Sequence, residues 1–227
     1  MIKLHPTEDG SFTLYNELAN ENYHSRRGAL QEARHVFIEA GLKYVLSQHK
    51  TDTLQILEIG FGAGLNALLS AIYIKQFPLI NLHYLGVEPL PVPNALWQML
   101  PYPKETNEPD ATDCFEQIHQ AKWEKNTKIH NLNLLKTVVD LLQFGSEYHN
   151  CFDLVYFDAF SPKAQPEMWQ PSVFQKIYQV MKPQAKLVTY CAQGQFRRDL
   201  RQAGFATERL QGAKGKFEMT RATALKP

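Results

Sequence analysis

The feature that most restricts this chain is a change of period within residues 57–70, LEIGFGAGLNALLS. An apolar run, TLQILEIG, stops at a glycine. Three glycines follow at alternate positions, Gly60, Gly62 and Gly64, and apolar residues then recur at helical spacing. A short run without strict polar alternation reads as a strand buried on both faces. Strand, glycine turn and helix in that order make a βα unit, and its turn lies at the carboxyl end of the strand. In an open α/β sheet that end is where ligands bind.

The alternation continues along the chain. LHYLGVE (82–88), KIHNLNLL (128–135), CFDLVYFDAF (151–160) and AKLVTYCA (185–192) read as further buried strands. Helical spacing is expected over 29–46, 64–77, 137–144, 173–181 and 195–204. Residues 11–23 read as short strands or loops, and 104–126 as a polar excursion with one short helix. FATERL (205–210) and KFEMTRATAL (216–225) close the chain as a hairpin-like pair of strands. The predicted fold class is α/β: a mostly parallel sheet, helices on both faces and an antiparallel edge strand. Residues 51–227 are expected to form one globular unit, with residues 1–50 a strand/helix extension packed on it.

The 227 residues are 44% hydrophobic and 21% charged, which suits one soluble domain with a real core. No run approaches the roughly 18 apolar residues of a membrane helix. The start, MIKLHPTEDGSFTLYNE, lacks the apolar centre of a signal peptide. The three cysteines, Cys114, Cys151 and Cys191, form no CxxC pair, and a reduced, cytoplasmic protein is expected. The eight histidines show no metal-ligand spacing, so no metal is expected. The net charge of +1 hides an asymmetry. Residues 197–227 hold eight Lys/Arg against three Asp/Glu, and the rest of the chain holds 16 against 20. A basic end suits phosphate contacts or simple solvation.

Two ligand classes compete for the glycine turn. A dinucleotide turn is G-x-G-x-x-G and seats a pyrophosphate on the helix N-terminus. Here the third glycine comes one residue early, and Glu58 lies two residues before the first. A carboxylate repels a pyrophosphate and attracts an ammonium or sulfonium. S-adenosylmethionine is therefore the preferred ligand, held by Glu58, Gly60, Phe61, Gly62, Gly64 and Asn66. Glu88, at the end of the next strand, is placed to accept the ribose hydroxyls. Neither NAD nor FAD is expected.

Asp158 ends the fourth strand in FDAFSPKAQPEMW (157–169), followed by a proline-containing loop and Trp169. A carboxylate there can orient an amine and take up its proton, so Asp158 is the catalytic candidate, and a cofactor contact as well.

YHSRRGALQEARHVFI (23–38), LEIGFGAGLNALLS (57–70), FDAFSPKAQPEMW, QGQFRRDLRQAGF (193–205) and GAKGKFEM (212–219) together resemble one family. It is the methyltransferase of tRNA 5-methylaminomethyl-2-thiouridine synthesis, the amino-terminal half of bifunctional MnmC. The resemblance runs from about Phe12 to Ala222. It implies a class I, Rossmann-like S-adenosylmethionine-dependent methyltransferase. The implied reaction is methyl transfer to the primary amine of 5-aminomethyl-(2-thio)uridine at the tRNA wobble position. The bifunctional members carry a further FAD-dependent domain, so this sequence resembles the stand-alone, MnmD-like form. A separate enzyme would then supply the aminomethyl-uridine. Tyr23, Ser25, Glu32 and Trp169 are expected near the cofactor or target base, and Arg197, Arg198, Lys214 and Lys216 on tRNA phosphates. The bifunctional members often carry Gly-Asp after the third strand. An ungapped reading puts Val138 where the acid belongs, and Asp140 takes that place with a shift of two. Two other readings stand beside this one: a methyltransferase for a small amine or polyamine, and a non-catalytic S-adenosylmethionine-binding partner module.

Overall fold

The computed structural model describes residues 1–6, 12–23, 28–48, 51–141, 143–145 and 147–226. Eight strands form the main sheet, in the order β10-β11-β9-β8-β4-β5-β7-β6. They are β4 (Thr53–Ile59), β5 (Asn81–Val87), β6 (Thr127–Ile129), β7 (Leu132–Thr137), β8 (Phe152–Phe157), β9 (Met181–Thr189), β10 (Phe205–Gln211) and β11 (Glu218–Ala224). The five strands β9, β8, β4, β5 and β7 run parallel, while β6, β11 and β10 pair antiparallel at the two ends. This is the expected α/β class. From β4 the chain builds outward to β5 and β7, then returns to lay β8 and β9 on the other side. The reversal falls between β4 and β8, the position at which open α/β sheets bind ligands.

The strands read as apolar runs because both faces are covered. Leu54 and Ile56 of β4 face one layer with Tyr84, Leu154, Tyr156 and Val188, and Leu57 and Ile59 face the other with Val87, Val155 and Phe157. The first layer is closed by α3 (Leu65–Ile74), α6 (Ala111–Gln120) and a continuous helical stretch near the N-terminus. That stretch comprises α1 (Ala29–Ala33), a wide-turn π segment (Arg34–Lys43) and α2 (Tyr44–Gln48). The second layer is closed by α7 (Pro171–Val180) and α8 (Gly194–Gln202). A separate antiparallel sheet of β1 (Ile2–Pro6), β2 (Phe12–Asn16) and β3 (Glu21–Asn22) precedes the helical stretch.

Four expectations are corrected. Residues 128–135 are not one strand: the chain turns at His130, whose φ of 54° is left-handed, and β6 folds back on β7. No helix forms among the described residues of 137–144. A single turn is closed there by the Phe144 N–H on the Asp140 carbonyl at 3.0 Å. The polar excursion carries two helices, α5 (Tyr102–Thr106) and α6, preceded by α4 (Asn94–Trp97). β1 lies upstream of the first expected strand region.

Candidate active site

The carboxyl ends of β4, β5, β8 and β9 open onto a cleft of about 480 Å³. β4 and β8 are in register there, Ile59 opposite Phe157, and the Asp158 N–H donates to the Ile59 carbonyl at 2.9 Å. The glycine turn and Asp158 are thus locked side by side by the sheet itself.

Gly60 has φ 85°, and a Cβ on it would lie 2.5 Å from the Asp158 carbonyl oxygen. Only glycine lets the two strand ends approach this closely. Phe61 turns inward, and its ring lies against Gly86 of β5, where a Cβ would come within 2.3 Å of it. Gly60, Phe61 and Gly62 line the cleft with Asn66 from the first turn of α3. Gly64 is not on the wall. It closes the turn, donating its N–H to the Phe61 carbonyl at 2.9 Å.

Glu88 reaches the wall and accepts the Gly62 N–H and the Leu90 N–H, both at 2.9 Å. Burial raises its pKa, and the two amides oppose that rise.

Glu58 is not on the wall, which corrects its expected contact with the ligand. It shares the period of Leu54 and Ile56, so it points under α3 and is fully buried. Burial pushes its carboxyl well above the usual range. The Tyr84 hydroxyl and Asn66 Nδ2 each donate to it at 2.8 Å. Asn66 Nδ2 also donates to Asp158 Oδ2 at 2.9 Å. Glu58 therefore orients Asn66, and Asn66 orients the carboxylate on the cleft floor. Asn66 Oδ1 is buried and has no hydrogen-bond partner among the described residues.

Asp158 is held in surroundings that push its pKa up to about 7. Burial is the main cause; the Asn66 hydrogen bond opposes it, Glu32 adds to it, and Lys216 opposes it. Asp158 thus sits near the pH at which a base is most useful.

The N-terminal segment forms the opposite wall. Tyr23 and Glu32 both line the cleft. The Tyr23 ring meets Phe160 edge-on at 5.1 Å and lies over Gly62. Glu21 accepts the Ser161 N–H at 2.7 Å, tying β3 to the loop after Asp158. Ser25 lies outside the described residues.

The expected tRNA-facing residues separate. Trp169 is buried beneath the loop, against Phe157 at 4.9 Å and Phe196 at 5.1 Å, and its Nε1–H donates to the Phe160 carbonyl at 2.8 Å. It fixes the loop and does not line the cleft. Arg197 is also buried, paired with Glu218 at 2.8 Å, so it does not stand among surface cations. Lys216 lines the cleft, bonded to Glu32, with its ammonium 4.4 Å from the centre of the Tyr190 ring. Arg198 and Lys214 are exposed.

Asp140 lies on the wall of the cleft, while Val138 is exposed outside it. Tyr190 was missed, although it follows the fifth parallel strand and the same strand-end reasoning applies to it. Its hydroxyl donates to the Ala159 carbonyl at 2.9 Å. Glu21 and Glu167 were missed as well, because no local spacing marks them. The lining residues include six acids, Glu21, Glu32, Glu88, Asp140, Asp158 and Glu167, and one lysine, Lys216. Such a cleft favours a cation and repels a pyrophosphate. No group of three or more His, Cys, Asp or Glu is placed to hold a metal ion among the described residues.

These residues fit S-adenosylmethionine. A Cβ-free turn admits the ligand to the backbone, Asn66 Oδ1 offers an unpartnered acceptor to an ammonium, and Glu88 offers a carboxylate to a ribose. Comparison with known proteins points the same way. The chain is 30% identical over 220 residues to a Cupriavidus necator protein named tRNA 5-methylaminomethyl-2-thiouridine biosynthesis bifunctional protein MnmC, covering 92% of this chain and 32% of that one. The protein of the same name from Azoarcus sp. is 31% identical over 235 residues, covering 96% and 35%. The chain thus spans about a third of the length of the curated relatives it matches. Among solved structures, MNMC2 from Aquifex aeolicus superposes with a TM-score of 0.76 at 20% identity, over 100% of this chain and 71% of that one. Spermidine synthase from Thermotoga maritima gives 0.61 at 10%, over 100% and 69%. At these identities the two structures show the fold alone. A family model described as S-adenosyl-L-methionine-dependent methyltransferase matches residues 106–225, more than half the chain, and by that match the chain belongs to this family of methyltransferases.

Proposed function

We propose that this chain methylates the primary amine of 5-aminomethyl-(2-thio)uridine at the wobble position of tRNA. The observation that carries the reading is Asp158, a carboxylate on the floor of an acidic cleft, held by Asn66 beside the glycine turn. The names of the relatives support the substrate. When bound, S-adenosylmethionine supplies a methyl carbon made electrophilic by its sulfonium, and the C–S electron pair leaves on sulfur. Gly60 and Gly62 would give it backbone access, Glu88 would take its ribose hydroxyls and Asn66 Oδ1 its ammonium, with Asp140 on the same wall.

The remaining work falls to this chain's residues. Asp158 accepts a hydrogen bond from the target amine and turns the nitrogen lone pair toward the methyl. As the N–C bond forms, the amine proton passes to the Asp158 carboxylate. Tyr23, Phe160 and Tyr190 wall the space beside it with aromatic faces suited to a base. Holding donor and acceptor in line supplies several kcal/mol of the barrier, roughly what good orientation contributes in general.

On this reading the protein works in the cytoplasm, where its three free cysteines stay reduced. A separate enzyme supplies the aminomethyl-uridine. The test is mass analysis of nucleosides from tRNA bearing 5-aminomethyl-2-thiouridine, after incubation with protein and S-adenosylmethionine. The expected result is one added methyl on that nucleoside. Methylation of spermidine with tRNA untouched would favour the small-amine reading, and methylation of neither would leave a binding module.

A further inference from the structure

The turn between β10 and β11 reverses the usual partition of side chains. Lys216 points into the cleft, bonded to Glu32 and laid on the Tyr190 ring. Phe217, the next residue, is 98% exposed. A phenylalanine so fully in water is unusual for a monomeric surface. The turn is braced and presents it firmly: the Gly212 N–H donates to the Phe217 carbonyl at 3.2 Å, and the Lys216 N–H to the Ala213 carbonyl at 2.8 Å. A Cβ on Gly212 would come within 2.5 Å of the Lys216 carbonyl oxygen, so the brace depends on glycine there. Two further exposed apolar residues, Leu18 at 84% and Leu90 at 44%, line the same cleft. Lys214 in the same turn is an exposed cation, and Arg209 on β10, 3.7 Å from Glu218, is another.

We propose that Phe217 is a stacking platform for a nucleobase flanking the reacting nucleotide of a single-stranded RNA loop. The inference rests on the tRNA reading and gives its site a second point of contact. Adjacent Cα atoms lie about 3.8 Å apart. A base on Phe217 therefore belongs to a nucleotide close in sequence to the one that enters past Lys216. Bare aromatic faces with cations nearby are how proteins hold splayed single strands, since every base offers a π-face and every nucleotide a phosphate. Lys214, in the same turn as Phe217, complements that charge. The six acids inside the cleft would repel a phosphate, so the backbone stays at the rim while the amine-bearing base enters.

The experiment measures anisotropy of a fluorescently labelled anticodon stem–loop RNA titrated with wild type, Phe217→Ala, Phe217→Leu and Phe217→Trp. S-adenosylmethionine affinity, read by calorimetry, reports the fold of each variant and is expected to be unchanged. Phe217→Ala is expected to weaken RNA binding about 5- to 150-fold, the range for removing one base stack. It should leave the salt slope intact, since a ring neutralises no phosphate. Phe217→Trp should bind as tightly as wild type, and Phe217→Leu as weakly as Phe217→Ala. If Phe217→Leu matches wild type, the contact is a general apolar one, of the kind a protein partner makes, and the stacking inference is overturned. If Phe217→Ala binds RNA normally while wild type methylates tRNA, this inference falls and the proposed function stands. If wild type neither binds the stem–loop nor methylates tRNA, both fall.

Discussion

Asp158 shows how one position can carry both reactivity and its cost. Burial holds its proton until about pH 7, so it is protonated below that value and a competent acceptor above it. Turnover of wild type should therefore rise with pH through about 7. Asp158→Asn should lower turnover about 10²–10⁴-fold, with S-adenosylmethionine affinity changed far less. It should also lose that limb, keeping only the limb set by the amine's own deprotonation. Stability moves the other way. Between about 3.9, where the unfolded carboxyl ionises, and 7, the unfolded chain releases this proton first, so wild type loses stability as pH rises. Steady-state rates across pH, beside thermal melts of both proteins, check both signs. A wild-type rate that is flat through pH 7 would show that Asp158 is not the acceptor. The groups acting on Asp158 come from several elements: Asn66 on α3, Glu32 on α1 and Lys216 before β11, while Asp158 in turn raises the pKa of Glu58 on β4, Tyr84 on β5 and Tyr190 after β9. In the sequence Glu58 and Asn66 stood out as cofactor contacts and Asp158 as the catalytic candidate, because they lie at two strand ends and a helix start. Lys216 and Glu32 were visible as motif residues, but their pairing spans 184 positions and no local pattern announces it.

Among the elements, the central strands were legible because burial on both faces leaves an apolar run. The β6–β7 hairpin was not, because its turn is made by His130 and Asn131 inside such a run. There Asn131 Nδ2 donates to the carbonyls of Ile74, Phe77 and Ile80 at 2.9, 3.2 and 3.0 Å, so a tertiary contact stabilises the turn. The false helix at 137–144 has the same origin. Leu141 and Phe144 have helical spacing and are buried, yet the chain needs that length to cross the end of the sheet and bring Asp140 to the cleft. Packing between elements also decides where substitutions hurt. In β5, Gly86 leaves room for the Phe61 ring, and a methyl there would meet it at 2.3 Å. Gly86→Ala is expected to destabilise the protein by about 1–3 kcal/mol, the usual cost of overpacking. It should also weaken S-adenosylmethionine binding, since Phe61 anchors the glycine turn. Chemical denaturation and calorimetry check the two effects, and an unchanged midpoint would mean the turn yields freely.

At the scale of the whole molecule, the basic end seen in the sequence divides into cations that hold the fold and cations that face water. Arg197 binds Glu218, and Arg221 is buried between Glu208, at 2.8 Å, and the Tyr44 ring, at 3.5 Å. Arg198 and Lys214 remain outside. Arg197→Ala should lower the melting temperature and leave the salt dependence of tRNA binding nearly unchanged. Neutralising Arg198 and Lys214 together should leave the melt alone and flatten the salt slope by roughly 0.7–0.9 for each phosphate that no longer meets a cation. Melting curves and binding titrations at several ionic strengths separate the two classes, and an unchanged slope in the double variant would make those residues solvating charges only. The outermost strands of the main sheet have a consequence of another kind. At one end β6 is three residues long with an exposed Lys128, and at the other β10 carries Glu208 and Arg209 in mid-strand. Short length and charge are what keep an unpaired row of amides and carbonyls from recruiting a second chain. The molecule can thus be concentrated without zipping into fibres at either flank of this sheet, because neither outer strand offers a second chain a long, uncharged row to pair with.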